Sequence, residues 1–174
     1  MVKKRLKFNL IEVLNEEKKP IFKDGVLYKQ NIKVSTVYDY IQKRKQELNT
    51  INAIEFILPL RFVKHGKLTD EINSRDLLIG MQRRLAILNA VNNKIVEIDV
   101  DNVDNFIKNS NLYWTENQRY SNRQKTKMSL GGVLGRIEFN ENIDVVKDLL
   151  IACELVHIGK NTTFGLGKYE IKEG

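Results

Sequence analysis

The densest concentration of chemistry in this sequence is Gly159-Lys160-Asn161-Thr162-Thr163-Phe164-Gly165-Leu166-Gly167, a run of small, hydroxyl and basic residues near the C-terminus. Glycine lets a backbone come close to an anion, successive N–H groups can line a concave nest, and Lys160 adds a positive charge. Phosphate binding by Gly159, Lys160, Thr162, Thr163, Gly165 and Gly167 is the chemistry this run suits. The plainer account, a helix cap and a tight turn, requires only one or two of the glycines. Spacing excludes two better-known phosphate loops. A Walker loop needs GxxxxGK[ST] opening a helix, but Glu154 stands at its first glycine position and Asn161 follows the lysine. A dinucleotide fingerprint fails because Glu170 stands where its third glycine belongs.

His157 lies just before this run. The plain reading is a partly buried histidine finishing the apolar face that contains Cys153. The functional reading makes it a candidate catalytic residue: a helix C-terminus favours the charged imidazole, which can protonate or hold a phosphate. His65, in Lys64-His65-Gly66-Lys67, belongs to a turn and reads as a surface residue.

A second basic cluster runs from Gln118 to Lys127, where Arg119, Arg123, Lys125 and Lys127 are interleaved with Tyr120, Asn122 and Gln124. Cations hold phosphates, while amides and an aromatic ring read or stack on bases. A solvated hairpin is the plain alternative. Both clusters agree with an overall net charge of +7 and a pI near 9.4, which favour a polyanionic partner.

Other chemistries find no residues. One cysteine excludes an internal disulfide and suits a reducing compartment, and with two histidines it excludes ordinary zinc sites. Asp99-Val100-Asp101-Asn102-Val103-Asp104 opens like a calcium loop, but Val103 cannot ligate at the fifth position and the required glycine is missing. No compact carboxylate set suggests two-metal catalysis. No cofactor and no metal are expected. No apolar run approaches the ~20 residues that cross a bilayer, and Asn9 and Glu12 interrupt any secretory h-region, so the expected location is cytoplasmic, away from the membrane.

The elements that must position these residues follow from periodicity. Leu6 to Leu14 alternates and reads as a strand, and Asp24-Gly25 marks a turn. Ser35 or Thr36 can cap a helix with the stripe Val37, Tyr40, Ile41 and Leu48. Ile54 to Phe62 alternates strictly, with Pro59 pointing to an edge or a bend. Ser74 precedes a helix burying Leu77, Leu78, Met81, Leu85 and Leu88, with Arg75, Arg83 and Arg84 left polar. Asp99 to Asn109 reads as a capped turn or short helix, Leu112-Tyr113-Trp114 opens a second strand, and Leu130 to Phe139 is a third. Asp144 starts a helix burying Val146, Leu149, Leu150, Cys153 and Val156, which Gly159 ends, and Leu166 to Ile171 closes the chain as a strand.

From Ile54 the order is strand, helix, strand, strand, helix, strand. The expected fold class is α+β, a ferredoxin-like (RRM-like) βαββαβ domain with an antiparallel sheet over residues 51–174, preceded by an N-terminal strand-helix extension over residues 1–50. The third strand, Leu130-Gly131-Gly132-Val133-Leu134-Gly135-Arg136-Ile137-Glu138-Phe139, lacks the aromatic RNP signature, so base stacking on the sheet face is not expected. Its glycines point to close approach of another backbone, the glycine loop or RNA.

Three segments together, Arg119-Tyr120-Ser121-x-Arg123-Gln124, Gly131-Gly132-x-x-Gly135 and His157-Ile158-Gly159-Lys160-x-Thr162-Thr163-Phe164-Gly165-Leu166-Gly167, resemble the C-terminal part of the CRISPR-associated pre-crRNA endoribonucleases of the RAMP superfamily. Phe56-x-x-Pro59-Leu60-Arg61-Phe62 and Arg83-Arg84-Leu85 agree with it. The resemblance implies binding of CRISPR repeat RNA and metal-independent cleavage through a ribose 2′-OH, leaving a 2′,3′-cyclic phosphate, with histidine supplying acid or base. Members of that family usually carry two ferredoxin-like units, so residues 1–50 read as a remnant or linker of a first unit. The family's active-site histidines tend to lie in that first unit, which leaves two readings open: a processing enzyme, or a catalytically inactive RNA-binding or structural subunit of a CRISPR ribonucleoprotein. Implied partners are repeat RNA or crRNA, a missing N-terminal unit and other CRISPR effector subunits.

Overall fold

The computed structural model describes residues 9–15, 17–90, 105–121, 125–141 and 143–174. The chain forms two compact units, Met1–Thr36 and Val37–Gly174.

In the first unit, β1 (Glu12–Leu14), β2 (Pro20–Lys23) and β3 (Val26–Leu27) form a small antiparallel sheet in the order β1-β2-β3. The Asp24-Gly25 turn joins β2 to β3, both residues at positive φ. Asn15 fixes the β1–β2 connection, its Oδ1 accepting from the amides of Glu17 and Lys19. The strand expected over Leu6 to Leu14 is therefore shorter among the described residues, since Leu10 and Ile11 precede the ladder, and three strands rather than one precede the first helix. Leu6 to Phe8 lie outside the described residues.

The second unit begins with α1 (Val37–Glu47) and continues as β4 (Ala53–Leu60), β5 (Phe62–Lys64), β6 (Lys67–Thr69), α2 (Ser74–Ala90), β7 (Ile107–Thr115), β8 (Gln118–Ser121), β9 (Thr126–Ser129), β10 (Gly132–Phe139), α3 (Asp144–Val156) and β11 (Tyr169–Lys172). The main sheet has the order β11-β4-β10-β7 with every neighbouring pair antiparallel, and α2 and α3 supply the two crossovers. This is the ferredoxin-like βαββαβ arrangement expected from the pattern.

Alternation in β4 places Ile54 and Phe56 in the core and turns Glu55 outward, matched by Ile137 on β10 and by Tyr169 and Ile171 on β11. Leu77, Leu78 and Met81 of α2 and Val146, Leu149, Leu150 and Cys153 of α3 fill the same core. Each such side chain contributes roughly 1.5–3 kcal/mol when fully buried. Tyr169 is wholly buried and donates its hydroxyl to the Leu150 carbonyl at 2.5 Å. The outer face instead carries Glu55, Arg136, Glu138, Glu170 and Lys172, with Lys172 paired to Glu170 at 2.8 Å and Glu55 at 3.4 Å. None of these five is aromatic, and the exposed aromatics of the sheet among the described residues, Tyr113 and Trp114, lie on the edge strand β7.

Several boundaries differ from the periodicity reading. Pro59 lies in a central strand, where Leu60 pairs with Val133 and Phe56 with Gly135; the three residues between face one, making a bulge that absorbs the missing proline N–H. Ser74 does not precede α2 but begins it. Asn73 caps the helix: its Oδ1 accepts from the Asp76 amide at 2.8 Å, while Asp76 accepts from the Asn73 amide at 3.3 Å. The Ser74 hydroxyl is spent on β7, accepting from the amides of Phe106 and Ile107 at 3.0 and 2.9 Å. The expected turn or helix from Asp99 to Asn109 is strand from Ile107 onward, because those residues complete the ladder with β10; Asp99 to Asp104 lie outside the described residues. The glycines of β10 approach flanking strands rather than the glycine loop, since a Cβ on Gly132 would lie 2.5 Å from the Leu60 carbonyl oxygen.

On the far side of α3, Glu154 accepts from Arg44 Nε at 3.1 Å, from the Tyr40 hydroxyl at 3.0 Å and from the Ile171 amide at 2.9 Å. Burial, and then the Glu154 charge, push the Tyr40 hydroxyl up to about 12, so it stays a donor. Among the described residues, no helix is long and apolar enough to cross a membrane.

Candidate nucleic-acid interface

The glycine loop is built onto the end of β4. The amide of Lys160 donates to the carbonyl of Arg61 at 2.9 Å, that of Gly167 to Pro59 at 2.9 Å, and those of Ile57 and Leu58 both to Lys168, at 2.9 and 3.2 Å. On the β11 side of β4, pairing from the bulge onward is thus carried by loop rather than strand, and β11 starts at Tyr169 instead of Leu166. Two glycines are needed for this seam. A Cβ on Gly167 would lie 1.8 Å from the Ile158 carbonyl oxygen, and one on Gly159 would lie 2.8 Å from that of Arg61, both at positive φ. Within the loop, the amides of Ile158, Phe164 and Gly165 donate to Gly167, Asn161 and Thr162. The amides of Ile158, Lys160, Phe164, Gly165 and Gly167 are therefore committed to protein carbonyls. What the loop presents outward is the side chains of Lys160, Thr163 and Phe164, all exposed, and of the half-buried Asn161 and Thr162.

Lys160 joins three arginines around a groove of 410 Å³: Arg61 follows β4, Arg83 and Arg84 come from α2, and Phe62, Gly80 and Ile87 supply apolar wall. Among the described residues, no carboxylate lines it. Two of the arginines are anchored. Arg84 Nε donates to the Val156 carbonyl at 2.9 Å, closing the C-terminus of α3. Arg61 Nη1 donates to the carbonyls of Gly131 at 2.5 Å and Ser129 at 3.3 Å, at the base of the β8–β9 hairpin. Arg61 therefore ties the groove to the hairpin.

The hairpin pairs antiparallel, with Arg119 opposite Met128 and Tyr120 opposite Lys127, and Lys125 turns it at φ 52°. Tyr120, Lys125 and Lys127 are exposed. Arg123 and Gln124 lie outside the described residues. Glu116 receives the Trp114 indole N–H at 2.6 Å and the Ser129 hydroxyl at 3.2 Å, which secures the point where the hairpin leaves the sheet.

His157 occupies the C-cap of α3 at φ 61°, ψ 169°, a region otherwise almost reserved for glycine. Its amide donates to the Cys153 carbonyl at 2.8 Å. The imidazole is held below its usual 6.5, first by burial and then by Lys168, with hydrogen bonding to the backbone of Gly165 and Leu166 offsetting part of the shift. The helix-terminus argument for a charged ring is thus outweighed: losing water and facing a cation favour the neutral form. His65 lies in the β5–β6 turn at φ 49° and is exposed.

The structure brings together Gly159, Lys160 and Thr162 with Arg61, Arg83 and Arg84, which periodicity left as polar positions on separate elements. Their one visible signal was that all three fall in the segments carrying the family resemblance.

The family profile for CRISPR-associated endoribonuclease Cas6 matches residues 54–169. No curated protein matches the chain. Among solved structures, a partial Cas6-RT-Cas1–Cas2 complex aligns with 16% identity and a TM-score of 0.61 over 91% of this chain and 29% of that one. A Cas6 product complex aligns with 16% identity and a TM-score of 0.50, over 80% of this chain and 57% of that one. The chain thus spans well under two-thirds of the length of either neighbour, and at this identity the likeness is one of fold. The profile match, covering more than half of the sequence and both the β4–Arg61 seam and the glycine loop, is what decides the family: the chain belongs to the CRISPR-associated endoribonuclease Cas6 family.

Proposed function

We propose that the chain binds CRISPR repeat RNA and takes part in its metal-independent endonucleolytic processing to crRNA, with the glycine-loop groove and the basic hairpin as its RNA-contacting surface. The observation that carries this reading is the convergence of Arg61, Arg83, Arg84 and Lys160 on one groove lined, among the described residues, by no carboxylate. Cations held beside one another raise each other's free energy, a cost that a phosphodiester backbone removes. Lys160 and Arg83, both exposed, contact phosphates; Arg61 and Arg84, tied to carbonyls, hold the groove's shape and add field. Lys125 and Lys127 extend the basic track, the sequence adds Arg119 and Arg123 to the same segment, and Tyr120 offers a ring to a base.

His157 is the candidate acid or base, and its neutral form suits proton acceptance near neutral pH. The cleavage reaction needs a second proton-transfer group, which a further ferredoxin-like unit supplies in this reading, as does assembly with other CRISPR polypeptides of the kind in the Cas6-RT-Cas1–Cas2 neighbour. The alternative is an inactive RNA-binding or structural subunit.

The test is incubation of the purified chain with labelled repeat RNA in EDTA, scoring binding and cleavage together. Salt-sensitive binding with cleavage to a cyclic phosphate is the expected result for the complete enzyme. Binding without cleavage assigns the chain to the RNA-holding role, and absence of RNA binding sinks the proposal.

A further inference from the structure

The groove that gathers the four cations is not only cationic. Its walls include Val63 on β5 and Ile87 on α2, and Ile87 is 65% exposed, although neighbouring α2 positions Leu77, Leu78 and Met81 are fully buried. Asn161 and Thr162 stand at the loop side, bringing an amide and a hydroxyl. Arg61 Nε, in the same groove, is a buried N–H with no hydrogen-bond partner among the described residues. A buried donor of this kind costs free energy until something accepts from it.

These features narrow the ligand. An inorganic anion or a bare sugar-phosphate backbone uses the cations and leaves the apolar wall wet. A purely apolar ligand leaves four cations desolvated and unpaired, which is costly. A nucleotide carries both parts, a flat base with an edge of donors and acceptors and a phosphate a few ångströms away. The groove volume of 410 Å³ falls inside the roughly 300–1,000 Å³ of small-molecule sites. Resting on the RNA-binding reading above, we infer that this groove seats one unpaired ribonucleotide, its base against Val63 and Ile87 beneath the Arg83 guanidinium and its phosphate at Arg83 and Lys160. A base inside a duplex has both faces stacked and its Watson–Crick edge paired, so it cannot enter; the site selects a single-stranded or bulged position.

The experiment uses the full chain and a labelled single-stranded repeat RNA, together with a series of the same RNA carrying one abasic ribose at each position in turn. Every member has the same phosphates, so the backbone contribution is constant. One position is expected to lose about tenfold in affinity when its base is removed. In Ile87→Ser, which alters an exposed side chain, that penalty disappears at that position and persists elsewhere, while the salt dependence of binding is unchanged. In Arg83→Gln, affinity falls for every RNA in the series. Salt-dependent binding with no abasic-sensitive position, or a sensitive position indifferent to Ile87→Ser, overturns the base site and leaves the RNA-binding reading standing. Absence of RNA binding overturns both.

Discussion

The backbone amide of Lys160 donates to the carbonyl of Arg61 at 2.9 Å. The bond joins the glycine loop to the end of β4, and in doing so it sets two cations from opposite ends of the second unit on the rim of one groove. The RNA-binding role proposed for this groove needs the seam as much as the charges it carries.

Lys160→Ala removes an exposed cation whose amide bond to Arg61 survives the change. RNA affinity is expected to fall roughly fivefold, about 1 kcal/mol, for all sequences alike. The slope of log affinity against log salt should shrink by about one. Fluorescence anisotropy across a salt series measures both, and an unchanged slope excludes Lys160 from phosphate contact.

Gly167→Ala attacks the seam itself. The added Cβ meets the Ile158 carbonyl oxygen at 1.8 Å with φ at +72°, so neither the neighbour nor the backbone can accommodate it cheaply. A loss of about 2 kcal/mol or more in urea unfolding is expected. RNA binding should weaken in proportion to the displaced loop. Gly25→Ala, at φ +81° with open space around it, carries the backbone strain without the clash and should cost less.

His157→Gly separates backbone from side chain. At φ 61°, ψ 169° the histidine backbone is strained by about 1–3 kcal/mol, which glycine relieves. Thermal stability should hold or rise, whereas any cleavage that uses the imidazole disappears. A drop in stability of several degrees contradicts the strain assignment.

The same histidine imposes a pH dependence. Its folded value lies below the unfolded 6.5, so just below that pH the unfolded chain binds more protons than the folded one. The stability tied to the neutral ring is fully present above pH 6.5 and is lost as pH falls through 6.5 toward the lowered folded value. Melting temperatures on the two sides of pH 6.5 should therefore differ less in His157→Asn than in the parent chain.

Glu154→Ala leaves Arg44, the Tyr40 hydroxyl and the Ile171 amide without their shared acceptor. A cost of about 2–4 kcal/mol is expected, since the carboxylate is largely buried and accepts from three residues. Hydrogen exchange should accelerate first in α1, whose polar ties to α3 run through Glu154 and through the exposed Lys45–Asp148 pair.

Local pattern determined much of this protein. Alternation from Ile54 needs no tertiary information, because a period of two presents one face to a core whatever covers it, and the stripes of α2 and α3 obey the same logic at a period of 3.6. The order of those elements then admits few antiparallel topologies, and the β11-β4-β10-β7 sheet is among them. The basic hairpin and the glycine loop were legible because charge and glycine content are properties of a segment. What tertiary structure alone decided is what those segments meet. Ser74 looks like a helix cap until β7 presents the amides of Phe106 and Ile107 to its hydroxyl. The glycine loop looks like a nest of free amides until the amides of Lys160 and Gly167 donate to the carbonyls of Arg61 and Pro59, beside the β4 bulge. Arg61, Arg83, Arg84 and Lys160 form a site because three chain segments converge, and a sum of charges at a point is a property of distance in space, which spacing along the chain does not contain.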